Sequence, residues 1–138
     1  MKKRHSLPRK ILLALAILLV LYLIPCVYVS ARLHGLVQRS YDFFGENNPN
    51  PSVISNEAYA DLNCRAPEEV TMAKDQCFRH TFPLTVLWPG GGKSVYWYTF
   101  EATDANGSLL TGSWHVDMHI TYRFQNGHWV VTDVYEPA

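Results

Sequence analysis

The sequence has no charged residue between Ile11 and Val29, and no acidic residue in the ten positions before that stretch. Taken whole, the 138-residue chain is 48% apolar and carries a formal charge of zero. A neutral chain is not a strongly basic nucleic-acid-binding protein, so nucleic acid is not expected as a partner. The apolar share excludes a disordered chain, and the length suits a single domain with its own core.

Short motifs that mark well-known enzyme classes are also missing. The chain contains no Gly-x-Ser-x-Gly, no His-Glu-x-x-His and no dinucleotide-binding fingerprint. The glycines of segment 89–93, PGGGK, lack the spacing of a phosphate-binding loop, and a flexible hairpin connection explains them. We therefore expect neither a cofactor nor a metal ion.

The uncharged stretch is long enough to cross a membrane. Residues 11–29 would span about 28 Å as a helix, close to the hydrocarbon thickness of a bilayer. Five basic residues precede the stretch, which favours a signal anchor with residues 1–10 in the cytoplasm and residues 30–138 outside. The alternative is a secretory signal peptide that is cleaved near Ala31. Both interpretations place the folded domain outside the cytoplasm, and the first makes the lipid bilayer a partner.

The three cysteines fall into two groups. Cys26 lies in the apolar run, whereas Cys64 and Cys77 lie in the exported part with 12 residues between them. In an oxidising compartment such a pair is most simply a disulfide. A metal site would need further cysteines or histidines at ligand spacing, and neither cysteine has them nearby. The sequence therefore predicts a Cys64–Cys77 disulfide bond.

Helical patterns follow the apolar run. Residues 32–46 keep apolar positions at helical spacing, so the helix is expected to continue outward from the membrane. The segment NNPNP at 47–51 ends it, because two prolines and three asparagines do not continue a helix. Residues 55–77 have the pattern of short helices, one capped by Ser55 and another beginning at Pro67.

Further along the chain the apolar period changes to two. The pattern predicts strands at about 81–88, 94–103, 109–124 and 128–135. Asn106-Gly107 and Asn126-Gly127 lie between strands and tolerate the positive φ of tight hairpins. Gly112 is placed to bend the long third strand. The fold class is therefore α+β: a membrane helix, then short helices packed on a four-stranded, bent antiparallel sheet.

The third predicted strand alternates apolar and polar side chains, so one face packs on a core and the other meets water or a cleft. The apolar face is expected to carry Trp114, Val116, Met118, Ile120, Tyr122 and Phe124. His115, Asp117 and His119 share the polar face, about 6.6 Å apart. Histidines beside an acid can ligate a metal or act in catalysis, and a solvated polar face explains them as well. Glu101 and Asp133 are the other strand carboxylates that could serve as a base in an apolar cleft.

The segment VYWYTF at 95–100 is apolar on both faces of its predicted strand. One face must meet the core, and the other is a candidate surface for a partner or a second copy of the chain. Under that interpretation Tyr96, Tyr98 and Phe100 form the interaction surface. Under the alternative, helices cover one face and aromatic cross-strand pairs brace the other.

The terminal segment YRFQNGHWVVTDVYE at 122–136 resembles the closing hairpin of the nuclear-transport-factor-two-like, or cystatin-like, superfamily. The order of elements over residues 36–136 is similar as well. The resemblance implies helices on a bent antiparallel sheet. Among small single-pass members it implies a scaffold or accessory role in envelope assemblies such as type IV secretion machines. Enzymes of the superfamily use a carboxylate base between helix and sheet, and fold alone does not choose between these roles.

These patterns together favour a single-pass membrane protein whose extracytoplasmic domain acts by binding or assembly, with another envelope protein or a copy of itself as partner. The alternative is a secreted or anchored small-molecule-binding protein, or an isomerase- or lyase-like enzyme. A catalytic role would fall to Asp117, His115, His119 or Glu101, and the absence of a recognisable motif around them favours a protein that is not an enzyme.

Overall fold

A computed structural model describes residues 6–65, 73 and 75–138 of the chain. Within these residues, two helices precede five strands. The elements are α1 (Ser6–Asp42), α2 (Asn56–Asp61), β1 (Asp75–His80), β2 (Leu84–Trp88), β3 (Gly91–Thr103), β4 (Leu109–Gln125) and β5 (His128–Tyr135). The predicted α+β class is confirmed, and the apolar run lies within the first helix.

Helix α1 is continuous from the apolar run into the folded domain, as the sequence predicted. It is long and apolar enough to cross a membrane. Its first half exposes large apolar side chains all round, whereas its second half buries one face against the sheet. The buried positions recur every three or four residues, which is the spacing of one helical face: Cys26, Val29, Leu33, Leu36, Val37 and Ser40. One helix therefore supplies both the membrane-length segment and part of the core.

The short helix α2 begins where its cap was predicted. The Ser55 hydroxyl accepts a hydrogen bond from the Ala58 backbone N–H at 3.1 Å, which satisfies one of the free donors of the first turn. Tyr59 and Leu62 then bury their side chains in the core. The second predicted helix start, at Pro67, lies outside the described residues.

The sheet has five antiparallel strands, where the sequence predicted four. Its order is β1-β3-β4-β5, and β2 pairs with the first half of β3 beside β1. The first half of strand β1, Asp75–Cys77, falls in the region that had been assigned to short helices. It forms because Phe78 pairs with Phe100 of β3 and stacks on Tyr41 of α1, with ring centroids 4.3 Å apart. Long-range packing of this kind overrides a weak local helical preference.

The predicted hairpin turns are present. Asn126 and Gly127 both have positive φ, at 50° and 82°, and join β4 to β5 directly. Both central residues of a tight two-residue hairpin turn take this conformation, which asparagine and glycine tolerate best. Gly107 has a φ of 78° in the connection between β3 and β4.

The core lies between α1, α2 and the inner face of the sheet. Tyr96, Tyr98 and Phe100 point into it and are 0%, 3% and 3% exposed, so the prediction that they form an interaction surface is wrong. The register explains the error, because Tyr96 pairs with Met118 on the apolar face of β4. Paired residues share a face of the sheet, and the outer face of β3 instead carries Trp97 and its alternate neighbours.

A β-bulge interrupts β4 opposite Thr99. The register steps from Tyr98 paired with Val116 to Phe100 paired with Ser113, so Trp114 and His115 together oppose one residue. His115 has a φ of 52°, and its backbone N–H donates to the Thr99 hydroxyl at 3.2 Å. The extra residue moves Trp114 to the outer face, where it is 54% exposed. The prediction that Trp114 lies on the apolar face of this strand is therefore wrong.

The predicted disulfide is absent: Cys64 and Cys77 are both free thiols. Cys77 lies on β1 opposite Glu101, exposed on the outer face of the sheet. Cys64 packs against the core on the inner side, and its thiol donates to the Leu62 carbonyl at 3.5 Å. Because the two side chains lie on opposite sides of the sheet, no S–S bond joins them.

A chain of hydroxyl groups links α1 to three strands through the core, and we call it the hydroxyl chain. Ser30 on α1 bonds Thr85 on β2 at 2.6 Å, and Thr85 bonds Ser94 on β3 at 2.6 Å. The Ser94 hydroxyl then donates to the Tyr122 hydroxyl on β4 at 3.0 Å. Ser30, Ser94 and Tyr122 are buried, so each bond replaces one that water would otherwise make.

Candidate functional site

A groove of about 270 Å³ opens between α1 and the β4–β5 hairpin, and we call it the rim groove. Its lining is mainly apolar, with one guanidinium group. The principal lining residues are Tyr28, Arg32 and Leu36 from α1 with Phe124, His128 and Trp129 from the hairpin. Arg32 is held in place because its Nη1 donates to the Tyr28 hydroxyl at 3.0 Å. The groove can therefore take an apolar group with a hydrogen-bond acceptor at one end.

The described residues that line the rim groove include no aspartate or glutamate. The three strand carboxylates considered as bases lie elsewhere, on the outer side of the sheet. The Glu101 carboxylate accepts a hydrogen bond of 2.6 Å from Trp114 Nε1, and Asp133 is exposed on β5. Asp117 lies on the outer face opposite Trp97. A carboxylate in these positions remains in contact with water, whereas a ketosteroid-isomerase-like base needs an apolar cleft.

The motif His115-x-Asp117-x-His119 is only partly brought together. His119 Nε2 and Asp117 Oδ2 are 2.9 Å apart, and this hydrogen bond holds the pKa of Asp117 below its ordinary value. The bulge directs the His115 ring onto Trp97, where the two rings stack with centroids 6.2 Å apart. Within the described ranges no three groups of histidine, cysteine, aspartate or glutamate are placed to hold a metal ion.

The outer face of the sheet presents a set of aromatic rings, which we call the outer surface. His119 stacks on Tyr135 with ring centroids 5.3 Å apart, beside the stacked pair of Trp97 and His115. Trp114 is more than half exposed at the bulge. The outer surface consists of Trp97, Trp114, His115, His119 and Tyr135. Aromatic rings held on a rigid sheet bury a large area on binding at a low cost in side-chain entropy.

One polar cluster was missed by the sequence analysis. The buried Tyr98 hydroxyl donates to Glu136 Oε2 at 3.0 Å, and Cys64 packs nearby. Burial raises the pKa of the Cys64 thiol to about 12, so it remains protonated near neutral pH. Burial and the Glu136 carboxylate together raise the pKa of Tyr98. Tyr98 and Cys64 lie 38 and 72 residues before Glu136 in the sequence, so no local pattern could reveal this cluster.

Comparison with protein-family models, with curated proteins and with solved structures gave no match to this chain. The similarity to the cystatin-like superfamily therefore stays a prediction from the terminal hairpin and the order of elements.

Proposed function

We propose that this chain is a single-pass membrane protein with its N-terminus in the cytoplasm and its α+β domain outside. The five basic residues before the apolar run support this orientation. The continuity of α1 supports an anchor over a cleaved signal peptide. Cleavage near Ala31 would remove Cys26, Val29 and Ser30, whose side chains are buried against the sheet.

The domain acts by binding, as an assembly element of an envelope complex. The observation that carries this proposal is the separation of groups that a pocket enzyme would need together: the described residues that line the rim groove include no carboxylate, while Glu101 and Asp117 lie on the outer face. The core between helix and sheet is filled by large side chains, Tyr59 and Tyr96 among them. The outer surface, with its two stacked aromatic pairs and the exposed Trp114, is available for interaction.

The partner in this proposal is another envelope protein or a second copy of the chain, bound at the outer surface. Trp114 is the expected anchor residue, because exposed tryptophans in such patches carry a large share of binding energy. Its ring is already oriented by the hydrogen bond to Glu101, which lowers the entropy lost on binding.

Native gel electrophoresis of membranes from the protein's own host tests this proposal. We expect the wild-type chain to migrate in a complex larger than a monomer after mild detergent extraction, and Trp114→Ser to migrate as the monomer. Phe43→Ser is the matched control, since Phe43 is a similarly exposed aromatic at the end of α1. Monomeric wild-type protein, or equal loss with both variants, contradicts assembly through the outer surface.

A small-molecule-binding function is the second candidate, and the rim groove favours it. An apolar ligand with a carboxylate or carbonyl end would fit the apolar walls beside Arg32. Leu36→Trp should fill the groove and abolish thermal stabilisation by such ligands, with Leu110→Trp as a control far from the groove. If no ligand of this class raises the melting temperature of the wild-type chain, this candidate is wrong.

A further inference from the structure

The β2–β3 hairpin approaches the membrane-length part of α1. Near the start of β2, the Thr85 hydroxyl bonds Ser30, and near its end the Leu87 backbone N–H donates to the Tyr22 hydroxyl at 3.3 Å. Later residues of β2 therefore contact earlier residues of α1, so β2 runs toward the N-terminal half of the helix. The end of this hairpin, with the adjacent end of β4, lies beside the membrane-length part of α1, and we call it the membrane-proximal tip: Trp88, Pro89, Gly90 and Phe124.

Helix length fixes how close this tip comes to lipid. Crossing a hydrocarbon core of about 30 Å takes about 20 helical residues. Only Ile11 to Leu21 lie between the last basic residue, Lys10, and the level of the Tyr22 contact, and they span about 17 Å. Tilting α1 shortens this reach further. A membrane crossed by α1 therefore extends past the level of Tyr22 and reaches the tip.

The surface of the tip has the composition of a lipid-contacting segment. Along the outer face of β2, Leu84, Val86 and Trp88 are 63%, 59% and 45% exposed. Phe124, at the end of β4, is also exposed, and its backbone N–H donates to the Gly90 carbonyl at 3.1 Å. The sequence has no acidic residue between Asp75 and Glu101, nor between Asp117 and Asp133. The nearest charges are the exposed cations Lys93, opposite Val86, and Arg123, opposite Gly91.

We propose that the membrane-proximal tip inserts into the outer leaflet of the same bilayer that α1 crosses, within its acyl-chain region. The exposed side chains of Val86 and Trp88 then contact lipid. Lys93 and Arg123 have side chains long enough to extend from the outer face toward the lipid phosphates, which attract them. The proposal rests on the membrane anchoring proposed above, and it adds a second lipid contact that fixes the height of the domain.

Tryptophan fluorescence quenching by brominated lipid tests the insertion. The full-length chain is reconstituted into phosphatidylcholine vesicles with or without bromine on the upper part of the acyl chains. The expected result is lipid quenching of the wild-type chain that falls by about half in Trp88→Phe, because an exposed tryptophan among the acyl chains lies within reach of the bromine. Trp114→Phe is the matched control: it removes a tryptophan of β4 that opposes Thr99, eight residues or about 26 Å along β3 from Gly91 beside the tip, and should leave the bromine-dependent loss of fluorescence unchanged.

Val86→Glu provides a second variant that does not alter a tryptophan. Val86 is exposed, so the fold tolerates the change, and a carboxylate at this depth should draw the tip out and reduce the quenching. Retention of the chain after carbonate extraction of the vesicles is measured alongside. If the chain is retained and Trp88→Phe leaves the quenching unchanged, the insertion is overturned while the membrane anchor stands. If the chain is extracted, the anchor itself is wrong.

Discussion

Removing one oxygen atom from the hydroxyl chain should destabilise the whole domain. Ser94 lies at the centre of the chain, where its hydroxyl bonds Thr85 and donates to Tyr122. The substitution Ser94→Ala leaves the volume of the site almost unchanged, so its effect reports the lost hydrogen bonds and not a cavity. Tyr122 is only 5% exposed, so its hydroxyl is left without a partner in the core.

The magnitude follows from those two bonds. Each contributes a net of about 1 kcal/mol, and a buried hydroxyl left unpaired adds a penalty of about 1 kcal/mol or more. Ser94→Ala should therefore lower the free energy of unfolding by about 2–3 kcal/mol, or the melting temperature by about 8–12 °C for a domain of this size. Tyr122→Phe removes only the last bond and leaves Ser94 paired with Thr85, so it should cost about 1 kcal/mol.

Near-UV circular dichroism of the full-length chain in detergent, followed through urea and thermal unfolding, measures these values. The double variant should cost about 2 kcal/mol less than the sum of the single variants, because both single variants lose the same Ser94–Tyr122 bond and because the unpaired Tyr122 hydroxyl is then gone. Ser108→Ala, in the exposed turn after β3, is the control and should change stability by less than about 0.5 kcal/mol. A Ser94→Ala variant as stable as this control, or strict additivity with Tyr122→Phe, would refute the hydroxyl chain.

Three further outcomes follow from single positions. Burial lowers the pKa of His80 from its ordinary value of 6.5, so the unfolded chain binds more protons than the folded chain in mild acid. The urea concentration at the unfolding midpoint should therefore decrease as the pH is lowered from about 7.5 to about 5.5, and it should decrease less in His80→Gln. In the folded protein a maleimide should label exposed Cys77 before Cys64, and mass spectrometry of the labelled peptides would contradict the structure if both reacted at one rate. Gly45→Ala should lower the free energy of unfolding by about 1–2 kcal/mol, because Gly45 has a φ of 74° and an added Cβ would lie 2.8 Å from the Ala60 Cα. Gly35→Ala should raise the free energy of unfolding by about 0.8 kcal/mol, because Gly35 lies in α1 with open space around it. Thermal melts of the two glycine variants must move in opposite directions.

Local signals predicted the elements whose causes are local. The helical spacing of residues 32–46, the Ser55 cap and the Asn126-Gly127 turn depend on a few neighbouring residues. The cap and the turn are found where they were expected, whereas the helix ends at Asp42, four residues before the end of the predicted segment. The α+β class followed from the change of period from helix to strand. Strand β1 was missed because its pairing partners lie 18 to 28 residues away in β3.

The candidate site depended on register, which the sequence did not determine. An alternating segment shows which residues share a face, but only pairing decides which face meets the core. The pairing of Tyr96 with Met118 reversed the expected exposure of the aromatic run. One extra residue at the bulge likewise moved Trp114 outward and separated His115 from the pair of Asp117 and His119.

The continuity of α1 has a mechanical consequence. Helix α1 runs without a loop from the membrane-length segment into the core, so the helix and the sheet change their tilt together. A hydrophobic span that matches a slab of about 30 Å leans by roughly 25° when the slab thins to about 27 Å. In the proposed orientation the outer surface tilts by the same angle, and its orientation relative to neighbouring membrane proteins changes. Membrane thickness would thereby regulate which neighbours the domain can meet.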